Sequence, residues 1–205
     1  AHGVEETRQI STGNKIQHLA LLSSNFATGA TVMKKFDNPG LAALLEHGLK
    51  DIYYAEKKIY RSLPAMIKAA QDEELKTALA SHREETAEQI EILENVFSLL
   101  ELPAKGQKCD AIDGILEEAK GILDNFGKTS ACDAAIIFAA QAVEHYEWTR
   151  YGCLRQFAIQ LGRDDVADQF QIIRDQESAA DEKLTALAEG RINAEAAEPT
   201  EGSAK

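Results

Sequence analysis

A carboxylate interrupts an apolar helical stripe in the second half of the chain. The stripe advances in steps of three and four residues, as one buried helix face does. It runs through Ile136, Ala140, Val143, Glu147, Tyr151 and Leu154. Glu147 stands where a leucine is typical, and Glu144 leans towards the same side one turn earlier. Because an unpaired buried carboxylate is costly, Glu147 requires a proton, a hydrogen-bonding partner or a metal ion.

The segment around Glu56 shows the same defect. Its stripe consists of Leu45, Leu49, Ile52, Glu56, Ile59 and Leu63. A shift of 91 residues places Glu56 on Glu147 and Tyr60 on Tyr151. The two segments therefore form a weak internal repeat in which the polar intruder is in register.

Two further stripes carry polar residues in their middle. One stripe contains Leu75 and Leu79, and then His82, Glu85 or Thr86, Gln89 and Leu93. The other contains Val166, Phe170, Ile173, Glu177, Asp181 and Leu184. A shift of 92 residues places Glu85 on Glu177 and Gln89 on Asp181, which indicates a duplicated helical hairpin.

Four helices that each direct a Glu into one core predict a dinuclear carboxylate site. In such bundles two helices give one Glu each, and the other two give a Glu and a further ligand one turn on. Carboxylates bridge two cations, and oxygen ligands with one or two imidazoles suit iron or manganese. The candidate ligands are Glu56, Glu85, Glu144, Glu147, Glu177, His82 and Asp181. For any single Glu the alternative is a stripe-edge residue whose tip reaches water, and for His82 it is a core histidine.

Five blocks of the chain also resemble, in order, those of a known family. They are DIYYAEKKI, SHREETAEQIEIL, KCDAIDGILEEA, AAQAVEHYEWTRYG and QESAADEKLTALAE. The chain resembles the YciE/YciF-like bacterial stress proteins over roughly Pro39 to Glu189. That family is a branch of the ferritin-like superfamily and is catalogued as a domain of unknown function. The resemblance implies a ferritin-like four-helix bundle with a di-metal centre, in a homodimer, but no established reaction.

The function stays open between two classes. One is a di-metal protein of the bacterial stress response, with chemistry linked to oxygen or peroxide. The other is a non-catalytic structural or adaptor dimer with a vestigial metal site. The second and fourth helices of ferritins carry Glu-x-x-His, whereas Glu88 follows Glu85 and Ala180 follows Glu177 in this chain. This difference favours the second class and leaves the question of an enzyme undecided.

Composition supports a helical chain and disfavours two kinds of partner. Ala, Leu, Glu and Ile dominate, and only four prolines occur in 205 residues. The formal net charge of −12 disfavours nucleic acid and anionic membranes. No apolar run is long enough to cross a membrane, and no cleavable signal peptide is visible. The three cysteines are widely spaced and form no CxxC, so we expect a reducing, cytoplasmic location.

The predicted fold is all-α, a ferritin-like antiparallel four-helix bundle with an extra short helix in the crossover between its second and third helices. Residues 1–38 are predicted to form a partly flexible extension, residues 39–190 the bundle, and residues 191–205 a disordered tail. Helix stops are expected at Gly162 and Gly190.

Overall fold

Helices account for most of the protein. The structure, a computed structural model, describes residues 40–198. Its helices are α1 (Leu41–Ala69), α2 (Glu73–Leu99), α3 (Asp110–Phe126), α4 (Cys132–Gln160), α5 (Asp164–Leu187), a π-helical turn (Ala188–Ile192) and α6 (Asn193–Ala197). The all-helical prediction is confirmed for residues 40–198, which contain no strand, and none of their helices is both long and apolar enough to cross a membrane. The predicted extension, residues 1–38, lies outside the described residues.

The four long helices contact one another in a ring. α1 packs on α2 and α4, and α5 packs on the same two helices. The links between α1 and α2 and between α4 and α5 are three residues long, which favours antiparallel neighbours. α3, the short helix predicted in the crossover, lies against α4 and α1. A ferritin-like antiparallel bundle stays a prediction, and this ring of contacts supports it.

Side-chain and backbone features at the helix ends hold the links in place. Asp72 caps α2 by accepting a hydrogen bond from the backbone N–H of Leu75 at 2.8 Å. Asp133, in the first turn of α4, accepts from the backbone N–H groups of Gln71 at 2.7 Å and Asp72 at 2.9 Å. Gly162 ends α4 with a φ of 71°, as predicted, because glycine adopts this left-handed conformation without strain. These contacts tie the turn between α1 and α2 to the start of α4.

The C-terminal part of the chain differs from the prediction. The helix does not stop at Gly190, because a π-helical turn carries the chain through this glycine into α6. The wider turn keeps Ile192 buried on the side of Ala188 and Leu184. Arg191 forms an ion pair with Asp72 at the start of α2. The disorder predicted for residues 191–205 therefore does not extend to residues 191–197, since an apolar anchor and an ion pair hold them.

We expect Ile192→Ala to lower the free energy of unfolding by about 2–4 kcal/mol, because the side chain is buried and its loss leaves a cavity. Ile172→Ala on α5 is the matched control, since Ile172 is 47% exposed and its truncation should cost little. Urea unfolding followed by circular dichroism measures both changes. Equal stability of Ile192→Ala and wild type would show that the C-terminal turn contributes nothing to the fold.

Candidate metal centre

Four glutamates lie in the middle of the helical ring. Glu56 comes from α1, Glu144 and Glu147 from α4, and Glu177 from α5. None of them is more than 3% exposed. Each belongs to an otherwise apolar helix face, so the packing of the ring carries its carboxyl group inwards. No Lys or Arg of residues 40–198 forms an ion pair with any of these four groups.

Three of the glutamates and one histidine converge on one point. His82, Glu144, Glu147 and Glu177 each offer a ligand atom, and these atoms all lie within 4.8 Å of one another. His82 comes from α2 and turns Nε2 towards Oε1 of Glu144 at 3.4 Å. The group is buried and combines three carboxylates with one imidazole. This arrangement could bind a metal ion, and its donors suit a first-row transition metal.

Glu56 lies beside this group and is held by a tyrosine. The hydroxyl of Tyr151 on α4 donates a hydrogen bond to Oε1 of Glu56. The carboxyl group of Glu56 also interacts with that of Glu147. Glu56 therefore extends the cluster towards α1, and its carboxyl group interacts electrostatically with Glu177 and His82.

Many polar atoms of the cluster lack a hydrogen-bonding partner. Within residues 40–198, Oε2 of Glu56, Glu144 and Glu177 is unpartnered. Both carboxylate oxygens of Glu147 and both ring nitrogens of His82 are also unpartnered. Buried polar atoms are normally satisfied, so this concentration calls for protons, water or a cation. The donor types and their convergence fit a metal ion.

Burial dominates the electrostatics of the four glutamates. Burial and the charge of Glu177 raise the pKa of Glu56 to about 8. Burial raises the pKa of Glu144 to about 7. Burial, followed by repulsion from neighbouring carboxylates, holds the pKa of Glu147 and of Glu177 well above the usual range. Without a cation, the cluster therefore retains protons near neutral pH.

His82 is the basic side chain of the cluster. Its burial disfavours the charged imidazole, but contact with Glu85 and the charges of Glu177 and Glu56 outweigh that effect and raise its pKa. Oε2 of Glu85 lies 3.7 Å from Nδ1 of His82. Glu85 thus approaches the ring from the side opposite to Glu144 and can fix the orientation of Nε2 towards the cluster.

The structure corrects the geometry predicted for Glu85. Its side chain is 39% exposed and lies outside the converging group. The fully buried position on that turn of α2 belongs to Thr86, whose hydroxyl donates to the carbonyl oxygen of His82 at 2.8 Å. Glu85 and Thr86 are adjacent in sequence. The long Glu85 side chain reaches water, whereas the short Thr86 side chain is buried and forms its hydrogen bond with the backbone.

Asp181 also lies outside the converging group. Its side chain is 26% exposed, and its Oδ2 lies 3.3 Å from Nε2 of His145. Gln141 on α4 donates to its Oδ1 at 3.0 Å. Asp181 therefore stands one turn beyond Glu177, at the margin of the cluster, and the prediction that it binds metal stays a prediction.

Sequence reasoning left the buried position open between Glu85 and Thr86, and it missed the role of Gln89. Nε2 of Gln89 donates to Oε1 of Glu177 at 2.6 Å and so holds this carboxylate in place. The signal was present in the sequence, because the shift of 91 residues that relates Glu56 to Glu147 also places Thr86 on Glu177. If the shift of 91 residues is applied to both helix pairs, Thr86 and not Glu85 aligns with Glu177, which identifies Thr86 as the buried residue.

Comparisons with known proteins agree with the resemblance found in the sequence. The model of a domain of unknown function, DUF892, matches residues 40–197. Protein YciF of Escherichia coli (strain K12) is 41% identical over 151 residues, which cover 73% of this chain and 91% of that protein.

Two solved structures share both fold and sequence with this chain. The structure of the E. coli stress protein YciF has a TM-score of 0.72 and 39% identity, and covers 76% of this chain and 99% of that chain. YcfI from Rhodopseudomonas palustris, provisionally described as a structural protein, has a TM-score of 0.71 and 44% identity, and covers 74% of this chain and 96% of that chain. With a family model that spans most of its length and a relative this similar, the chain belongs to the DUF892 family and is a homologue of YciF.

Proposed function

We propose that this protein is a ferritin-like bundle that binds iron or manganese and acts in the bacterial stress response. The observation that carries the proposal is the convergence of His82, Glu144, Glu147 and Glu177, whose unpartnered carboxylate oxygens form no ion pair with any Lys or Arg of residues 40–198. A divalent cation would satisfy these atoms and offset most of the charge of the three carboxylates. The assignment to stress follows from the E. coli relative, which is described as a stress protein.

The same residues suggest how a dinuclear centre would be held. His82, Glu144, Glu147 and Glu177 would hold the metal, and Glu56, which interacts with Glu147, would be available as a further ligand. Bound iron or manganese would supply one-electron chemistry towards oxygen or peroxide. Tyr151 holds Glu56 by hydrogen bonding, and burial of the whole cluster limits access of bulk water.

We further propose that the chain works as a cytoplasmic homodimer, without nucleic acid or membrane as a partner. The dimer rests on the family resemblance. The net charge of −12 argues against polyanionic partners. All three cysteines, of which two are buried, are free thiols, as is usual in a reducing compartment.

A second candidate is a structural protein whose metal site is vestigial. Two observations favour it: the relative YcfI is provisionally described as structural, and the raised pKa values allow the glutamates to remain protonated near neutral pH. The register of α2 adds to this case, because Thr86 and Gln89 occupy the places where a ferritin-like helix carries Glu-x-x-His.

Metal analysis of untagged protein separates the two candidates. We expect wild type, grown with iron and manganese, to retain a stoichiometric amount of one of these metals, and Glu177→Gln to lose most of it. Glu182→Gln is the matched control, because it removes the same charge from an exposed position on the same helix. Plasma mass spectrometry after gel filtration provides the measurement, and circular dichroism verifies the helical content.

The two candidates give different results in this experiment. Wild-type protein that holds no metal, even after incubation with iron(II) or manganese(II), would support the structural candidate and refute the metal centre. Equal metal content in Glu177→Gln and Glu182→Gln would place any bound metal elsewhere.

A further inference from the structure

A cavity between α4 and α5 leads from the surface to the cluster. It has a volume of about 140 Å³ and is lined by Glu144, His145, Trp148, Glu177, Ser178 and Asp181. Two of these residues, Glu144 and Glu177, belong to the converging group and are buried, and each has an unpartnered Oε2. The inner wall of the cavity therefore includes two carboxylate side chains of the converging group.

The outer part of the cavity holds a preformed pair of ligand residues. His145 is 70% exposed, and its Nε2 lies 3.3 Å from Oδ2 of Asp181. Gln141 holds Asp181 by donating to Oδ1 at 3.0 Å, and it also donates to Thr185 at 2.8 Å. An imidazole and an anchored carboxylate thus lie at the solvent end of the cavity. His145 follows Glu144 directly on α4, and Asp181 lies one turn after Glu177 on α5.

A second opening, between α2 and α5, is less suited to a cation. Its volume is about 180 Å³, and its lining includes His82, Glu85 and Glu144 together with Lys183. The ammonium group of Lys183 places positive charge at this opening. The opening between α4 and α5 has no Lys or Arg among its lining residues. Electrostatics therefore favour the α4–α5 opening for a divalent ion.

We propose that His145 and Asp181 form a transit site, which receives a divalent cation from solvent and passes it to Glu144 and Glu177. This inference rests on the proposed metal centre and assigns its route of loading. The cation would exchange ligands stepwise along the cavity, from one imidazole and one carboxylate outside to the buried carboxylates inside. No covalent bond is formed or broken, and the cation does not change its oxidation state in this movement.

A transit site has a kinetic signature that a resident ligand lacks. Removing it raises the barrier in both directions, so association and dissociation slow by the same factor and the equilibrium affinity is unchanged. Loss of electrostatic guidance of this kind lowers association rates by on the order of tenfold or more. A resident ligand, in contrast, would change the dissociation constant when it is removed.

Stopped-flow loading of the metal-free full chain with Co²⁺, followed by its d–d absorption, tests the proposal. We expect Asp181→Asn and His145→Gln to load about tenfold more slowly than wild type. Equilibrium dialysis with Co²⁺ should give the same stoichiometry and dissociation constant for all three proteins. Glu182→Gln is the matched control for Asp181→Asn, because it makes the same change in net charge at the next residue, outside the cavity.

Each other outcome would overturn the proposal in a recognisable way. Loading of Asp181→Asn at the rate of Glu182→Gln would show that the cation does not pass this point. Faster loading of Lys183→Gln, with Asp181→Asn unaffected, would place the route at the α2–α5 opening. Weaker equilibrium binding with faster dissociation would make Asp181 a resident ligand. Wild type that takes up no Co²⁺ would instead refute the metal centre itself, and the transit site with it.

Discussion

Replacing Glu147 by glutamine will remove the metal and at the same time stabilise the metal-free protein. Glu147 is fully buried, and both of its oxygens are unpartnered. Because Glu147 is a proposed ligand at the centre of the cluster, loss of its carboxylate should weaken metal binding by more than about 100-fold. In the metal-free protein, burial and the charges of Glu56 and Glu177 hold the pKa of Glu147 far above its unfolded value. Keeping this group protonated at pH 7 costs about 3–4 kcal/mol, which the substitution removes.

The comparison needs both states of the protein. Urea unfolding at pH 7 should give Glu147→Gln a higher free energy of unfolding than wild type after chelation. With bound manganese, its free energy of unfolding should be lower than that of wild type. Glu91→Gln, an exposed position on α2, is the control and should change neither state. A Glu147→Gln protein that binds metal as wild type does would refute the proposed ligand. A less stable metal-free variant would show that the carboxyl group is stabilised by contacts that an amide cannot reproduce.

The second large effect is a reversal of the pH dependence of stability by metal. Without metal, stability should fall by several kcal/mol between about pH 5 and about pH 8. Burial raises the pKa of Glu56 to about 8 and that of Glu144 to about 7, so the folded chain keeps protons that the unfolded chain has released. His82, whose pKa is also raised, acts in the same direction, because its folded-state proton is lost as the pH rises. With metal, the ligands must be deprotonated, so binding and stability should increase over the same interval.

Unfolding free energies at pH 5, 6, 7 and 8, with chelator and with manganese(II), measure both slopes. The double variant Glu56→Gln with Glu144→Gln should flatten the metal-free slope, because it removes two of the groups that titrate. The proposal would be in error if the metal-free protein gained stability across this interval. Identical curves with and without manganese would mean that the cluster does not bind it.

The helices could be predicted because their apolar stripes are long and regular. Each of the four long helices buries one face, and the period of 3.6 residues is visible in the sequence whatever the partner helix is. The same regularity made the buried glutamates conspicuous, since Glu56, Glu147 and Glu177 interrupt otherwise apolar stripes. The extra helix of the crossover was predicted on the same grounds.

The stripe of α2 shows where such reasoning fails. After His82, a step of three residues leads to Glu85 and a step of four leads to Thr86, and both residues are polar. Hydrophobic periodicity cannot choose between two polar neighbours, because neither carries the apolar signal on which the method depends. The choice is made by side-chain length and by the hydrogen bond from Thr86 to the carbonyl oxygen of His82.

The prediction for the C-terminal part of the chain was wrong for a different reason. Glycine usually ends a helix, so the sequence predicts a helix stop at Gly190. In the structure, a π-helical turn includes this glycine. Tertiary contacts stabilise this turn, since Ile192 is buried and Arg191 forms an ion pair with Asp72 at the start of α2. Contacts between distant parts of the chain are not visible in the local composition of a segment rich in Ala and Glu.

The position of Thr86 has a consequence for how such a protein could be redesigned. Thr86 is buried opposite Glu177 in the repeat, with Gln89 one turn further along α2. Thr86→Glu together with Gln89→His would give α2 the Glu-x-x-His of a symmetrical di-metal bundle. The new carboxylate would join four others in a core where only imidazole side chains could balance its charge. A chain altered in this way would depend on its metal ions in order to fold, so that a binding site would have become a folding requirement.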